Sequence, residues 1–226
     1  MNRFGIFPNA YYNHLKDRKA GYRQQKERLL NCITETYHER KGIPGYRLMA
    51  DLLKSKGIRQ FTVDYPDKFR CTDFTYIPLS DSRMRYNCTI LDLYDRSVIA
   101  SVSGRNITAE LAVQTLSKAI TQHTWVLKKG VILHSDQGSQ YTSKEFTDYC
   151  SAHNITQSMS RAGCPYDNAP MERYFNTLKS ELIYQHSYSS EDKLFADIDD
   201  YVLLWYNSVR PHSFNNGLTP WQKRLA

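Results

Sequence analysis

The stretch ILHSDQGSQYTS, residues 132–143, places a single acidic residue where chemistry is expected. Its apolar start predicts a buried strand and its small polar end predicts a surface loop, so Asp136 would stand where the strand ends. Strand ends in α/β sheets face the crevice in which ligands bind. Two interpretations are open for Asp136 taken alone: a turn residue that caps the next helix, or a ligand for a metal ion.

Two other acidic residues have neighbours that favour a functional role. In FRCTDFTYIPL, residues 69–79, Asp73 shares one strand face with Cys71 and Ile77 because side chains alternate along a strand. An acid on a burying face is uncommon unless it is paired or binds a metal. Glu172 falls in the first turn of a predicted helix, next to its apolar stripe, where an acid can also simply complement the helix dipole.

Three carboxylates that converge would repel one another, and some would stay protonated without a counter-ion. Divalent cations remove this penalty, and Mg²⁺ prefers oxygen ligands and accepts a site that water and phosphate complete. Two such ions about 3.5–4 Å apart can activate a nucleophile and stabilise a leaving oxygen in phosphoryl transfer. If Asp73, Asp136 and Glu172 meet, we therefore expect a two-magnesium site for chemistry on phosphates.

The predicted elements would bring these acids together. Three β-rich runs joined by short turns predict two hairpins, and helices and strands then alternate; the ranges are 69–79, 84–94 and 97–104 for the runs, then 109–122, 131–133, 144–150, 156–159, 170–184 and 190–207. This order favours an α/β fold in which three antiparallel strands and then parallel strands form a mixed sheet flanked by helices, the ribonuclease H-like arrangement. There, the first strand lies beside the strand that follows the first helix. Asp92 and Asp95 flank the second turn, where turn hydrogen bonds are favoured over metal binding.

Charge is distributed unevenly along the 226 residues. Residues 1–60 contain 13 Lys or Arg against 5 Asp or Glu, whereas the whole chain has a net charge of +7, so the basic excess lies in this N-terminal part. Its two short predicted helices form a small appendage, which suggests a partial helix-turn-helix-like unit that binds nucleic acid. A solvated helical face is the alternative. Residues 61–226 would form the core and the C-terminal helices.

Several classes of protein are disfavoured. No run of 18 apolar residues exists, and the N-terminus lacks the apolar region of a signal peptide. The five cysteines are scattered without a CxxC pair, so they predict reduced thiols rather than a zinc site. We therefore expect a cytoplasmic protein with no membrane partner.

Four segments carry a resemblance to a known family: TDFTYI, HSDQGSQYTS, DNAPMERYFNTLKSEL and YNSVRPH. In this order they resemble the catalytic domain of insertion-sequence transposases of the IS3 family, within the integrase-like group that has an acidic triad. Between Asp136 and Glu172 lie 35 residues, the spacing that names the D,D(35)E pattern. Lys179, seven residues after the Glu, matches the basic residue that this group uses at the DNA end.

This resemblance implies a DNA transposase that cleaves the 3′ ends of an insertion sequence and transfers the strands, with Asp73, Asp136 and Glu172 as catalytic metal ligands. It implies two Mg²⁺ ions, for which Mn²⁺ can substitute, double-stranded element ends and target as partners, and a homo-oligomer on the DNA. A DNA-binding partner from an upstream reading frame also occurs in the family. Besides Lys179, the predicted DNA contacts are Gln140, Arg161, Arg173 and Arg210, for which a backbone or solvated surface role is the alternative.

The chain departs from the family pattern in one place. A further helical segment and a linker usually follow the stretch that corresponds to GYRLMADLLKSKGI, but here GIRQ runs directly into FTVDYPDKFRCTD. The alternative function is therefore a catalytically silent or shortened derivative that binds DNA or joins oligomers. A structure-specific nuclease on the same scaffold, such as a ribonuclease H, is a third possibility.

Overall fold

The computed structural model describes residues 31–32, 34–36, 38–39, 63, 65–122, 130–159 and 169–226. The chain divides into two compact units, Met1–Thr62 and Val63–Ala226. In the first unit, the described residues between 31 and 39 are helical, and the side chain of Thr36 is buried. The second predicted helix of this unit lies outside the described residues, and DNA binding by residues 1–60 stays a prediction.

A mixed sheet of five strands forms the centre of the second unit. The strands are β1 (Phe69–Pro78), β2 (Met84–Asp92), β3 (Val98–Gly104), β4 (Val131–Ser135) and β5 (Ile155–Met159), in the order β3-β2-β1-β4-β5. Strands β1, β2 and β3 pair antiparallel, whereas β4 pairs parallel with β1 and β5 pairs parallel with β4. The predicted mixed sheet is confirmed, including the contact between β1 and the strand after the first long helix.

Helices cover both faces of this sheet. They are α1 (Ala109–Gln122), α2 (Ser139–Thr142), α3 (Lys144–Ala152), α4 (Ala169–Glu181), α5 (Glu191–Asp200) and α6 (Pro220–Leu225), with 3₁₀ turns at Ile183–Gln185 and Ser213–Asn215. In the part of the chain that is described, none of the helices combines the length and the hydrophobicity that a lipid bilayer requires.

Side-chain alternation in β1 separates two hydrophobic cores. Cys71 and Ile77 point to the face on which α4 and α5 pack, whereas Phe74 points to the face that α1 and α3 cover. Asp73 has the parity of Cys71, so it belongs to the α4 side of the sheet.

The helix predicted for residues 190–207 is present, but its second half is π-helical rather than α-helical. Helix α5 ends at Asp200, and Tyr201–Tyr206 form a π-helical turn in which the Asn207 N–H donates to the Val202 carbonyl. Tyr201 and Val202 are buried, and so are Tyr206 and Asn207, five residues later in each case. A π turn keeps residues five apart on one face, whereas an α-helix would rotate the second pair away from the core.

Asn207 connects this π-helical turn to the sheet. Its side-chain amide donates to the Val98 carbonyl and accepts from the Val98 N–H, both at 2.9 Å, and Asn207 is fully buried. The amide thus satisfies both backbone polar groups of Val98, the first residue of β3, as a neighbouring strand would.

Replacing Asn207 by Ala is expected to lower the free energy of unfolding by about 2–4 kcal/mol, because each buried polar group left without a partner costs about 1–3 kcal/mol. Urea unfolding monitored by circular dichroism measures this change. Replacing the exposed Asn106 by Ala is the control, for which we expect a change within about 0.5 kcal/mol. An equal decrease in the free energy of unfolding for Asn207→Ala and Asn106→Ala would contradict the role given to Asn207.

A buried ionic cluster joins the start of β1, the β2–β3 turn and α6. We define it as Asp67, Arg70, Asp92, Asp95 and Arg224. Asp92 accepts from the Tyr94 N–H and Asp95 accepts from the Ser97 N–H, so both acids make the predicted turn hydrogen bonds. Both are also fully buried and contact Arg224, which sequence patterns do not reveal.

Candidate active site

The register of β1 and β4 places Asp73 and Asp136 at equivalent positions. Cys71 pairs with His134 across the two parallel strands, and each acid follows its member of this pair by two residues. Side chains two residues apart in a strand share a face, so Asp73 lies on the face of Cys71, which α4 covers. The register aligns Asp73, in the middle of β1, with Asp136, which stands in the loop directly after β4.

Asp73 is half-buried within β1. Its Oδ1 accepts a hydrogen bond of 2.8 Å from the Phe74 N–H, which holds the carboxylate against its own strand. Across the antiparallel pair it lies opposite Thr89 of β2.

Asp136 is exposed in the loop directly after β4. Its Oδ1 accepts a hydrogen bond of 2.9 Å from the Gly138 N–H, so it makes a local turn contact while standing at the sheet edge. A Cβ added at Gly138 would lie 2.2 Å from Nε2 of Gln140. Glycine thus lets the Gln140 side chain fold back over this loop, and a larger residue would displace it.

Glu172 lies in the first turn of α4, where its side chain is exposed next to the buried Met171. Helix α4 packs on β1 through the core that contains Cys71. Burial, and secondarily the neighbouring Tyr206 phenol, raise the pKa of Tyr174, while the proximity of Thr89 lowers it. Because Thr89 is the cross-strand partner of Asp73, the first two turns of α4 lie over the part of the sheet that carries Asp73.

The chemistry of these side chains suits a hard divalent cation, since all three offer carboxylate oxygens. Among the described residues, which include all three acids, no group of three His, Cys, Asp or Glu side chains is placed to hold a metal ion. The three acids lie in β1, directly after β4 and in the first turn of α4, and Glu172 has the longest side chain of the three.

Comparison with known proteins identifies the family. Residues 64–165 and residues 153–220 each match the family described as "Integrase core domain". Transposase InsF for insertion sequence IS3A, from Escherichia coli K12, is 32% identical over 214 residues, which are 92% of this chain and 69% of that protein. The chain belongs to the IS3-family transposases. The transposase for insertion sequence element IS904 from Lactococcus lactis is 33% identical over 182 residues, 78% of this chain and 66% of that protein.

Solved structures share the fold of this transposase. A chain of the simian T-cell lymphotropic virus intasome, solved with PP2A regulatory subunit B56 gamma, has a TM-score of 0.62 at 18% identity, over 74% of this chain and 58% of that chain. The catalytic core domain of BIV integrase has a TM-score of 0.54 at 20% identity, over 70% of this chain and 94% of that one. The HTLV-2 integrase catalytic core domain in complex with magnesium has a TM-score of 0.53 at 17% identity, over 73% of this chain and 99% of that chain. The predicted ribonuclease H-like fold is confirmed.

The predicted DNA contacts of the transposase have different surroundings. Lys179 is half-buried in the last turn of α4, and Arg173 is exposed near its start, so one helix carries both. Gln140 is half-buried beside Gly138, and Arg161 lies outside the described residues. Arg210 forms an ion pair of 2.7 Å with Glu181, the last residue of α4.

The contacts of Glu181 were not predicted from the sequence. Its carboxylate accepts hydrogen bonds from Arg210, Tyr201 and Trp205. Burial alone would raise the pKa of Glu181, but these hydrogen bonds and the Arg210 charge outweigh burial and lower it. The YNSVRPH segment, residues 206–212, was the available signal, because it contains Arg210 without an acidic neighbour in the sequence.

Proposed function

We propose that this transposase is a metal-dependent polynucleotidyl transferase in which Asp73, Asp136 and Glu172 act together. It would cleave the 3′ ends of its insertion sequence and join the freed 3′-hydroxyls to target DNA. The observation that supports the proposal is the β1–β4 register, which aligns Asp73 with Asp136, together with the packing of the helix that bears Glu172 on β1.

The three carboxylates would hold two Mg²⁺ ions, with Mn²⁺ able to substitute, as the magnesium complex of the HTLV-2 integrase core suggests by analogy. Bound divalent ions would supply charge stabilisation at the reacting phosphate and lower the pKa of an attacking hydroxyl. The chain itself orients the ligands: the Phe74 N–H fixes Asp73, and the Gly138 N–H fixes Asp136. Glu172 completes the set by turning inward from the first turn of α4.

Double-stranded DNA, as element ends and as target, is the proposed partner. Lys179 and Arg173 would contact DNA from α4, with Gln140 and Arg161 contributing from loops. The basic residues 1–60 would add phosphate contacts, and such contacts make affinity fall steeply with salt. Two ends must be joined, so we infer a homo-oligomer on DNA, consistent with the intasome assembly named for one structural neighbour. The predicted partner from an upstream reading frame finds no support in the comparisons and stays a prediction.

A strand-transfer assay with an oligonucleotide of the cognate element end and a supercoiled target tests this proposal. We expect joined products with Mg²⁺ or Mn²⁺, none after chelation, and recovery when the metal is restored. DNA binding without nicking under either metal would favour the silent binding module instead. Hydrolysis of RNA–DNA hybrids without strand transfer would favour a nuclease, and either outcome would overturn the proposal.

A further inference from the structure

The C-terminal end of α4 is held by three side chains from one later segment. Glu181 accepts from Arg210 Nε at 2.8 Å and 2.9 Å through its two oxygens, from the Tyr201 hydroxyl at 2.8 Å and from the Trp205 indole N–H at 3.3 Å. Contact with both carboxylate oxygens is directional, so it limits rotation as well as translation of the helix end.

The same segment also contacts the N-terminal half of α4. Tyr206 packs edge-to-face on Tyr174, with ring centroids 5.0 Å apart and an interplanar angle of 83°. The Tyr206 hydroxyl lies 3.1 Å from Nε2 of His212, and burial followed by the charges of Arg210, Arg96 and Arg173 lowers the pKa of His212 to about 4. His212 is therefore neutral near pH 7 and remains a hydrogen-bond partner for Tyr206.

This segment is fixed to the sheet between its two contacts with α4. Asn207 binds both backbone polar groups of Val98, at the start of β3. We name residues 201–212 the C-terminal clamp. It connects β3 of the sheet to the middle and the C-terminal end of α4, the helix that carries Glu172.

We propose that the C-terminal clamp is a positioning device for Glu172, with Glu181 and Arg210 as its positioning residues. The inference rests on the catalytic role proposed for Glu172 and extends it. Metal ligands must be held within about 0.5 Å of the productive geometry. Glu172 is the fourth of the 13 residues in this helix, so fixing Tyr174, two residues later, and the C-terminal end restricts where the Glu172 carboxylate can go.

This proposal gives Arg210 a role other than the DNA contact predicted from sequence. Its guanidinium already faces both oxygens of Glu181, and the carboxylate of Glu181 would repel a phosphate approaching the same place. Binding DNA through Arg210 would therefore require the ion pair to break, leaving Glu181 with only neutral donors.

Charge reversal separates the two roles. We expect Arg210→Glu and Glu181→Arg each to weaken Mn²⁺ binding about tenfold, because groups that support metal ligands contribute about 10–100-fold to metal affinity. The double variant should recover most of the lost Mn²⁺ affinity, because it restores the ion pair with the two charges exchanged. Mn²⁺ binding is measured by calorimetry without DNA, and affinity for the element end by gel shift.

Two further variants serve as controls for the effect of charge reversal on Mn²⁺ affinity. Arg83→Glu reverses an exposed charge that pairs with the exposed Asp81 in the β1–β2 turn, and we expect no change in Mn²⁺ affinity. Arg210→Lys retains the charge and serves as a milder variant in case a charge-reversed protein does not fold. We expect it to lose an intermediate amount of Mn²⁺ affinity. The proposal would be overturned if Arg210→Glu weakened DNA binding but left the Mn²⁺ affinity unchanged. It would also be overturned if the double variant did not recover the Mn²⁺ affinity that the single variants lost.

Glu172→Gln distinguishes failure of the clamp from failure of the proposed function. If Glu172→Gln weakens Mn²⁺ binding but the clamp variants do not, the clamp is wrong and the catalytic role of Glu172 stands. If Glu172→Gln leaves Mn²⁺ binding unchanged, Glu172 is not a metal ligand, and both proposals fail.

Discussion

Replacing Asp136 by Asn is expected to lower the rate of strand transfer at least about a thousandfold, equivalent to about 4 kcal/mol in the activation barrier. The substitution retains the size of the side chain and an oxygen that can accept from the Gly138 N–H. It removes the negative charge that the proposed metal site requires, so catalysis should be lost while the loop remains in place. Rates are measured under single-turnover conditions, with gel shift as the measure of DNA binding.

Asp148→Asn is the matched control for this variant. Asp148 is an exposed acid on α3 that pairs with Lys144, so its loss should leave strand transfer unchanged. Residues that act as one unit have strongly non-additive effects, so combining Asp73→Asn with Asp136→Asn should be hardly worse than either alone. Normal strand transfer by Asp136→Asn would remove Asp136 from the site.

The second large effect concerns Arg224 in the buried ionic cluster. Its two Nη atoms lie 2.9 Å from Asp67 Oδ2 and 3.0 Å from Asp92 Oδ2, and its Nε lies 2.8 Å from Asp95 Oδ2. Replacing it by Met should lower the free energy of unfolding by about 3–5 kcal/mol at neutral pH, because removing one partner leaves buried charges uncompensated. Thermal and urea unfolding measure the loss.

The loss caused by Arg224→Met should depend on pH. Burial, and next the charge of Asp95, raise the pKa of Asp92 from 3.8 to about 6, although Arg224 opposes this. A carboxyl with a raised pKa binds its proton more tightly in the folded state, so folding becomes less favourable as pH rises between those two values. Removing Arg224 raises the pKa of Asp92 further, so the defect should be largest at pH 7–8 and shrink as pH falls towards 5.

Arg83→Met is the control for Arg224→Met. It removes an Arg from an exposed ion pair with Asp81, a type of pair that contributes at most about 1 kcal/mol, and its effect should be small. The assigned role of Arg224 would be contradicted if Arg224→Met lowered the free energy of unfolding only slightly, or if its effect grew as the pH falls.

Strand positions in the first half of the core were predictable from local patterns. The run predicted at residues 69–79 corresponds to β1 (Phe69–Pro78), and the next two runs correspond to β2 and β3. Alternating side chains and turn residues are short-range signals, and the β1–β3 meander is built from neighbours in sequence. Helix α6 was missed, although its capping box of Thr219 and Gln222 is a recognisable start signal.

Contacts between distant residues were not predictable in the same way. Nothing in the sequence near Arg210 indicates that its partner is Glu181, or that Asn207 binds the backbone of Val98. The π-helical turn was also hidden, because the preceding α5 and the turn share one apolar pattern. The hydrogen bond from the Asn207 N–H to the Val202 carbonyl and the burial of Tyr201 and Tyr206, five residues apart, distinguish the turn from an α-helix.

By itself, the sequence determined the order of strands and helices, the three candidate acids and the family, because each of these depends on residue types and spacing along the chain. Tertiary structure alone decided that β1 and β4 pair in a register that aligns Asp73 with Asp136, that α4 packs on β1, and that residues 201–212 contact α4 at Tyr174 and Glu181. Such placements depend on strand register and on packing between segments far apart in sequence. Local periodicity specifies which face a side chain takes, but not which distant side chain it meets.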